Sequence, residues 1–200
     1  MNNHTVITIS RQYGSGGREL ANKIAEKLGY KLFDRQIVHL AAAQIGIDDL
    51  SEDNLRNLEN NVTPLSLSFI PFFNFGSRNT GFNNDIFINE AKAIRKLASD
   101  NDCIILGRCA DFILEDLPNH YSFFICANDD YREKRGKEVY DGKSLKELNE
   151  EDNKRANYYK YYTKQNWGDP KNYDMIINTS KVSLDKAADI IISYVKSNKK

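Results

Sequence analysis

Residues 4–29, HTVITISRQYGSGGRELANKIAEKLG, contain the pattern that decides the fold. The run TVITIS at 5–10 is rich in β-branched residues and predicts a buried strand. A glycine-rich turn follows, and apolar residues then recur every three or four positions, as on one face of a helix. Gly29 suits the C-terminal cap of that helix. A strand, a glycine-rich turn and a helix in this order have the layout of a phosphate-binding loop.

Glycines in such a turn let backbone N–H groups converge on an anion, and the helix N-terminus adds partial positive charge. The standard pattern G-x-x-x-x-G-K-[ST] is nevertheless incomplete. If Gly16 is its second glycine, Arg11 replaces the first, Gly17 replaces the lysine, and Arg18 and Glu19 follow. We favour a phosphate site over a tight turn without a ligand, because the context matches and arginines flank the turn. Either Arg11 or Arg18 can supply the missing positive charge.

Composition limits the classes of function. The chain has 200 residues, with 28 Lys and Arg against 28 Asp and Glu, so its formal net charge is zero. This length fits one domain, 1–200, with a small insert. Zero net charge argues against nucleic acid as a partner. Three cysteines without close pairing do not predict a disulfide framework. Neither a signal peptide nor a membrane-spanning run is evident, so we expect no membrane partner and a cytoplasmic location.

Short apolar runs alternate with helical patterns along the rest of the chain. Further strands are predicted at 30–34, 103–107, 121–127 and 175–179, and helices at 36–46, 51–60, 85–98, 129–140 and 182–196. This alternation predicts an α/β fold with a parallel sheet covered on both faces. Ligands of such sheets bind at the carboxyl ends of the strands.

Two segments differ from this pattern. Residues 62–84, VTPLSLSFIPFFNFGSRNTGFNN, lack a period and predict a mobile insert or a cover on the acceptor side of the site. The apolar part at 68–75 is alternatively a dimer or partner surface, and a homodimer is compatible with an enzyme. The charged segment 136–155 is predicted to be a lid that closes over a triphosphate and excludes water, or else a solvated helical hairpin.

Arginines near strand ends are candidates for binding phosphate or substrate. Arg108 directly follows the strand CIILG, and we favour a role in the cleft over a solvated surface charge. Asp34 and Arg35 end the second strand. They either contact an acceptor or form a helix N-cap and a surface charge, with no preference between the two.

Other polar and aromatic residues have two interpretations each. Arg132 and Arg135 share a helix face, and they belong with Arg155 either to the lid or to a solvated hairpin. The aromatic run at 158–167 is interpreted as core rather than as a base-stacking surface. Residues 178–180 either line a base pocket or cap the last helix.

In this order the motifs resemble the cytidylate kinase-like family, in the P-loop nucleoside monophosphate kinase class. They are SRQYGSGGRE, KLFDRQIV, ILGRCADFIL, FFICANDDYREKR and DNKRANYYKYYTKQNWGDPKNYDMIINTS, and together they span most of the chain. The resemblance implies a P-loop NTPase-type three-layer α/β fold, with a five-stranded parallel sheet flanked by helices and a small lid. It also implies transfer of the γ-phosphoryl of ATP to a nucleoside monophosphate, with a CMP-like acceptor and Mg²⁺.

The resemblance implies roles for Gly14–Arg18 at the donor phosphates, for Asp34 and Arg108 at the acceptor, and for the lid arginines. Reading of the residues themselves adds Arg11, Ser15, Glu19 and Arg35. The candidate catalytic residues are Arg18, Arg108, Arg132 and Arg155, with Arg132 and Arg155 as lid arginines that reach the transferring phosphate. Those for the acceptor are Asp34, Arg35 and Arg108. Those for ATP are Arg11, Gly14, Ser15, Gly16, Gly17, Arg18 and Glu19, and Ser15 is the candidate metal ligand.

The chain departs from the pattern of cytidylate kinases in two places. Those enzymes have a lysine at the position of Gly17 and a hydroxyl residue at that of Glu19. Their Asp-Ser-Gly and downstream arginine are replaced by DRQIVHL, with Leu40 at the arginine position. Three functions therefore stay open: an ATP- and Mg²⁺-dependent kinase acting on a nucleotide, a nucleotide-binding regulatory module with little catalysis, and an interaction protein.

Overall fold

The structure, a computed structural model, describes residues 4–38 and 80–199, with the backbone alone for 80–86. The strands are β1 (Val6–Arg11), β2 (Lys31–Phe33), β3 (Cys103–Leu106), β4 (His120–Cys126) and β5 (Met175–Asn178). The helices are α1 (Gly17–Leu28), α2 (Thr80–Asp100), α3 (Ala110–Ile113), α4 (Asp129–Val139), α5 (Leu145–Thr163) and α6 (Leu184–Asn198). Residues 35–38 are also helical, and Pro170–Asn172 form a 3₁₀ turn.

The five strands form one sheet in the order β2-β3-β1-β4-β5, and every pairing is parallel. β1 is the central strand, with Val6 opposite Cys103 on one side and opposite His120 on the other. The chain leaves β1 toward β2, whereas the connection from β3 crosses β1 to reach β4. The end of β1 is thus a topological switch point, which is where open α/β sheets bind ligands.

Both faces of the sheet are buried, as the apolar strand runs predict. Val6 belongs to a core cluster with residues of α2, α3 and α5, and the alternate residues Ile7 and Ile9 belong to a second cluster with α1 and α6. β3 alternates in the same way. This arrangement gives three layers, with helices on each side of the sheet.

Two helices that contact the glycine-rich turn, α1 and α5, have well-defined ends. The left-handed Gly29, at φ +69°, caps α1, and its N–H donates to the carbonyl of Ala25. A capping box begins α5: Ser144 Oγ accepts from the N–H of Glu147, and the Glu147 carboxylate accepts from the N–H of Ser144. These ends fix where the helices project side chains toward the site.

The structure confirms the α/β class, the five strands and the parallel sheet. One boundary was wrong: the helix expected from residue 85 begins at Thr80, because glycine and asparagine in TGFNN weaken its sequence pattern. The predicted insert 62–84 therefore overlaps α2, and its remainder lies outside the described residues, as do the interface candidate 68–75, the helix at 51–60 and most of that at 36–46.

The predicted lid 136–155 comprises the end of α4, a turn and the first half of α5, and its closure stays a prediction. Across residues 4–38 and 80–199, no helix combines the length and the apolar character needed to cross a membrane.

The central strand should dominate stability. Ile9 is fully buried in β1, whereas Ile176 in β5 is 36% exposed. We expect Ile9→Ala to lower the free energy of unfolding by about 2–5 kcal/mol, and Ile176→Ala to lower it by at most about 1 kcal/mol. Urea unfolding followed by circular dichroism measures both. Equal losses in the two variants would contradict the placement of β1 at the centre of the core.

Candidate active site

The glycine-rich loop joins the end of β1 to the start of α1. Gly14 and Gly16 have φ of +80° and +77°, in the left-handed region that favours glycine. Gly16 is the N-cap of α1, and Gly17 is the first residue of the helix. The N-terminal N–H groups of α1 and the loop together have the geometry of an anion-binding nest.

Contacts with the ends of β4 and β5 hold the loop in place. Thr179 Oγ1 donates to the carbonyl oxygen of Ser15 at 2.7 Å, and Ser15 Oγ donates to that of Gln12 at 2.8 Å. Gln12 Oε1 in turn accepts from the N–H of Ala127 at 3.1 Å. The N-cap of α6 is Ser183, so residues 178–180 do not cap that helix, and the base pocket stays a prediction.

This arrangement bears on the metal prediction. Ser15 is fully buried, and its hydroxyl points into the loop toward Gln12. The hydroxyl is thus engaged with the loop itself, and the role of Mg²⁺ ligand expected for Ser15 stays a prediction. The part of the chain that the structure describes also contains no group of three or more His, Cys, Asp or Glu residues able to hold a metal ion.

Asp152 of α5 joins the loop to α4 and α5. Its carboxylate accepts from the N–H of Tyr13 at 2.7 Å, from Arg132 Nη2 at 2.6 Å and from Arg155 Nη1 at 3.2 Å. Arg132 Nε donates to the carbonyl of Tyr13 at 2.8 Å, and Arg155 Nη1 donates to that of Arg11 at 2.9 Å. Burial raises the pKa of Asp152, and the charges of the arginines and the N–H of Tyr13 oppose that rise.

Arg132 is held by partners within the protein, and its expected role as a lid arginine stays a prediction. It is only 2% exposed, and it also donates to Asp129 and Asn149 at 3.2 and 3.0 Å. With these partners and Asp152, its guanidinium positions the loop and does not face an open cavity. The geometry therefore favours a positioning role over the expected contact with a transferring phosphate.

Arg135, one turn after Arg132, lies above the loop. Its guanidinium pairs with the carboxylate of Glu19 in the first turn of α1. It also comes within 3.6 Å of the place that a Cβ on Gly16 would occupy. The sequence placed Arg132 and Arg135 on one helix face, and that spacing was the signal that Arg135 also approaches the loop.

A cavity of about 280 Å³ lies beside the loop, at the carboxyl ends of β1 and β3. Its lining includes four arginines and one carboxylate, namely Arg11, Arg35, Arg108, Arg155 and Glu151. Burial lowers the pKa of Arg11, Arg35 and Arg155, and a neighbouring arginine adds to the shift at Arg11 and at Arg35. Guanidinium groups keep their proton in proteins. Although Glu151, Glu90 and Asp152 offset part of the charge, the four arginines leave the cavity positive and suited to an anion.

Arg108 lies in this cavity, as its position after β3 predicts. It has a left-handed backbone, at φ +57°, and its guanidinium pairs with the buried carboxylate of Glu90. The same group lies 4.5 Å from the ring centre of Tyr158, whose hydroxyl donates to Glu90 at 3.0 Å. Its Nε is buried and has no hydrogen-bond partner among the described residues. These contacts fix the guanidinium at the cavity wall.

Arg18 and Asp34 lie outside the cavity lining. Asp34 Oδ1 accepts from the N–H groups of Gln36 and Ile37, so the residue is the N-cap that the sequence offered as one alternative. Its other oxygen accepts from Arg18 Nη2 at 2.8 Å. The Arg18 side chain is 55% exposed, so this ion pair contributes little to stability.

A buried carboxyl group lies behind the cavity, and the sequence analysis missed it. Asp111 of α3 accepts from the hydroxyl of Tyr159 at 2.7 Å, and Tyr159 and Ser10 line the cavity. Burial raises the pKa of Asp111 to about 6, although hydrogen bonds from Tyr159 and Ser10 oppose the rise. A lone acidic residue inside the apolar run CADFIL was the signal that could have found it.

Asp152 should be essential to the fold of the loop. Asp152→Asn leaves the buried guanidinium of Arg132 without its buried charged partner and with only the exposed Asp129, so we expect a loss of about 3–5 kcal/mol in the free energy of unfolding. The matched change Asp116→Asn removes an exposed pair with Arg95 and should cost less than about 1 kcal/mol. Urea unfolding of both variants tests this, and a similar cost for the two would contradict the assigned role of Asp152.

Asp111 should make stability depend on pH. Between its unfolded pKa of about 3.9 and its folded pKa of about 6, the folded protein keeps a proton that the unfolded chain releases. Its stabilising contribution is therefore present below pH 4 and lost as the pH rises through 6. We therefore compare the free energies of unfolding of Asp111→Asn and of the unmodified protein. The value for the variant minus that for the unmodified protein should rise by about 2–3 kcal/mol from pH 4 to pH 7. A difference that stays constant across this range in urea titrations would refute the assignment.

Solved structures show a similar fold. An uncharacterised protein from Eubacterium ventriosum ATCC 27560 is 29% identical, with a TM-score of 0.73 over 97% of this chain and 99% of that one. Shikimate kinase from Acinetobacter baumannii, in complex with shikimate, is 12% identical, with a TM-score of 0.52 over 99% and 96% of the two chains. Shikimate kinase from Bacteroides thetaiotaomicron is 12% identical, with a TM-score of 0.53 over 96% and 98%.

At 12% identity the shikimate kinases show the fold alone, which is the P-loop kinase type of α/β fold. No curated protein matches the sequence. The sequence profile that does match covers residues 6–181 and so includes the glycine-rich loop, the arginine-lined cavity and both helices of the expected lid. Since the match spans most of the chain, this protein belongs to the cytidylate kinase-like family.

Proposed function

We propose that the protein is a kinase that transfers the γ-phosphoryl of ATP to a nucleoside monophosphate, with CMP as the first acceptor to test. One observation carries this proposal: a cavity lined by four arginines directly adjoins a glycine-rich loop at a helix N-terminus. Arg11 and Tyr13 belong both to the loop region and to the cavity wall. A donor bound at the loop and an acceptor in the cavity would therefore place their phosphates next to each other.

The loop fits the phosphates of ATP. The N–H groups of the loop and of the first turn of α1 would bind phosphate oxygens, and the helix N-terminus favours negative charge. Arg135 lies near Gly16 and adds a guanidinium there, although the carboxylate of Glu19 offsets part of its charge. Mg²⁺ takes most of its ligands from substrate phosphates and water in such sites, which is consistent with the inward-facing hydroxyl of Ser15.

The cavity fits a small anionic acceptor. Its volume of about 280 Å³ is near the lower end of ligand sites, which are roughly 300–1,000 Å³. Arg35 and Arg108 supply guanidinium groups for a phosphate dianion, which arginine binds in a bidentate manner. Tyr158 and Trp167 offer aromatic surfaces for a base or a sugar.

Phosphoryl transfer needs positioning and stabilisation of charge more than covalent catalysis. Arg155 is held between Asp152 and the carbonyl of Arg11, at the boundary between loop and cavity. A cation at that boundary would stabilise the charge on the phosphoryl group during transfer. Closure of 136–155 over the nucleotide would exclude water and prevent hydrolysis of ATP.

A nucleotide-binding module with little catalysis is the second candidate. It is favoured by the absence of a side chain at Gly17 and by the pairing of Glu19 with Arg135. Such a module would bind nucleotide through backbone N–H groups but would leave the transition state without its usual cation.

Measuring ADP formation with ATP and Mg²⁺ across a panel of nucleoside monophosphates, with CMP and UMP first, tests the proposal. We expect acceptor-dependent turnover above the background with ATP alone. ATP binding without turnover on any monophosphate would instead support the binding module.

Replacement of a cavity arginine then tests the site. We expect Arg35→Ala to lower kcat/KM for the acceptor by about 100-fold or more, with the Kd for ATP changed by less than about threefold. Arg35 is preferred to Arg108 because loss of Arg108 would leave Glu90 buried without its ion pair. Arg95→Ala, at an exposed pair with Asp116, is the matched control and should retain full activity. Normal acceptor kinetics in Arg35→Ala would remove the cavity from the proposed site.

A further inference from the structure

The two unusual residues of the glycine-rich loop are in direct contact. A Cβ placed on Gly17 would lie 2.6 Å from Cβ of Arg11 and 2.9 Å from its Cγ. Carbon atoms that are not bonded do not approach so closely, so no side chain fits at Gly17 while Arg11 is present. The missing lysine and the additional arginine are therefore one structural change, because the stem of Arg11 fills the space where a lysine side chain would begin.

The side chain of Arg11 continues from Gly17 to the end of β3. Its Nη1 lies 2.6 Å from the place that a Cβ on Gly107 would occupy. Glycines at 17 and 107 thus leave room for a single extended arginine. This path brings the guanidinium to the ends of the two adjacent strands β1 and β3, between the loop and the arginine-lined cavity.

Among the described residues, the guanidinium of Arg11 has no carboxylate within ion-pair distance, and Asp34 acts on it only from farther away. Within residues 4–38 and 80–199 its guanidinium forms no ion pair and no hydrogen bond, whereas Arg155 has Asp152 and Arg108 has Glu90. Burial lowers the pKa of Arg11 to about 9, with the charge of Arg155 as the second cause. A desolvated cation next to another cation is costly unless an anion binds beside it.

We propose that Arg11 replaces the lysine of the standard phosphate-binding loop and supplies the positive charge for the phosphoryl group during transfer. This inference rests on the kinase function proposed above. Arg18, the other arginine that flanks the turn, does not suit this role, because it is exposed and bonded to Asp34. A guanidinium can donate two parallel N–H bonds to two phosphoryl oxygens, whereas an ammonium group acts as a point charge.

Transfer of the phosphoryl group does not require a proton from Arg11. The bond from the γ-phosphorus to the bridging oxygen breaks, and ADP leaves with that electron pair. An oxygen of the acceptor phosphate dianion supplies the electron pair of the new bond. Arg11 stays protonated throughout and lowers the energy of the charge spread over the three transferring oxygens.

The steric part of the proposal is tested by thermal unfolding, without any substrate. We expect Gly17→Ala to lower Tm by about 5 °C or more, because the new methyl group overlaps the stem of Arg11. The same change in an Arg11→Gly background should shift Tm by less than about 2 °C. Arg11→Ala is the matched control background: it keeps the Cβ that makes the closest contact, so Gly17→Ala should remain destabilising there.

The functional part of the proposal is tested by replacing Arg11 and introducing a lysine at position 17, where the standard loop has one. Arg11→Gly should lose about 100-fold or more in acceptor-dependent kcat. The double variant Arg11→Gly with Gly17→Lys restores G-x-x-x-x-G-K at residues 11–17. Its kcat should be about tenfold or more higher than that of Arg11→Gly alone. Arg95→Ala, outside the site, controls for the general loss of an arginine and should keep the activity of the unmodified protein.

A calorimetric titration with ATP separates failure of this inference from failure of the kinase function. If the unmodified protein turns over no acceptor, the kinase proposal fails, and the Kd for ATP still tests Arg11. The Kd for ATP should be about tenfold higher in Arg11→Gly and should return toward its original value in the double variant. ATP affinity and turnover in Arg11→Gly within about twofold of the unmodified protein would overturn the inference. So would Gly17→Ala being tolerated equally in all three backgrounds.

Discussion

The carboxylate of Asp152 is the interaction on which the site depends. It accepts hydrogen bonds from a backbone N–H of the glycine-rich loop and from arginines on two different helices. Because Arg132 and Asp152 are both buried, bringing their charges out of water costs free energy. Leaving either charge without its partner costs more. Removing any member would expose a desolvated charge or an unpaired backbone group. The loop, α4 and α5 are therefore coupled, and the geometry of the glycine-rich loop is inseparable from that of the two helices that contact it.

This coupling distributes the arginines into distinct roles. Arg132 is buried and bonded to groups of the protein, and it positions the loop. Arg155 shares the carboxylate of Asp152 and also lines the cavity. Arg108 is held by Glu90 from α2. Arg11 is the member of the set whose charge is left for a ligand, within the part of the chain that is described. Under the proposed function, arginines thus support the loop, orient one another and bind ligand within one site, and the position of each carboxylate decides which role an arginine has.

The fold could be predicted from the sequence to a large extent, because buried parallel strands and a glycine-rich turn leave strong local patterns. The site could be predicted less well, because its geometry depends on contacts between residues far apart in the chain. The spacing after β3 placed Arg108 correctly at the cavity. Nothing local distinguished Arg132, which is buried, from Arg155, which reaches the cavity, since that difference arises from Asp152. Asp34 was left with two interpretations, and only the N–H groups of the next helical turn show that it is a cap.

The contact between Arg11 and Gly17 also constrains how this loop can evolve. A chain with side chains at both positions is sterically excluded, and a chain with glycine at both fits but has lost the cation. The lysine-bearing and arginine-bearing loops are thus two alternative solutions separated by an impaired intermediate, so substitutions at 11 and 17 are epistatic. A lineage that has acquired one arrangement will tend to keep it, and residues 11, 17 and 107 should change together or not at all among its descendants.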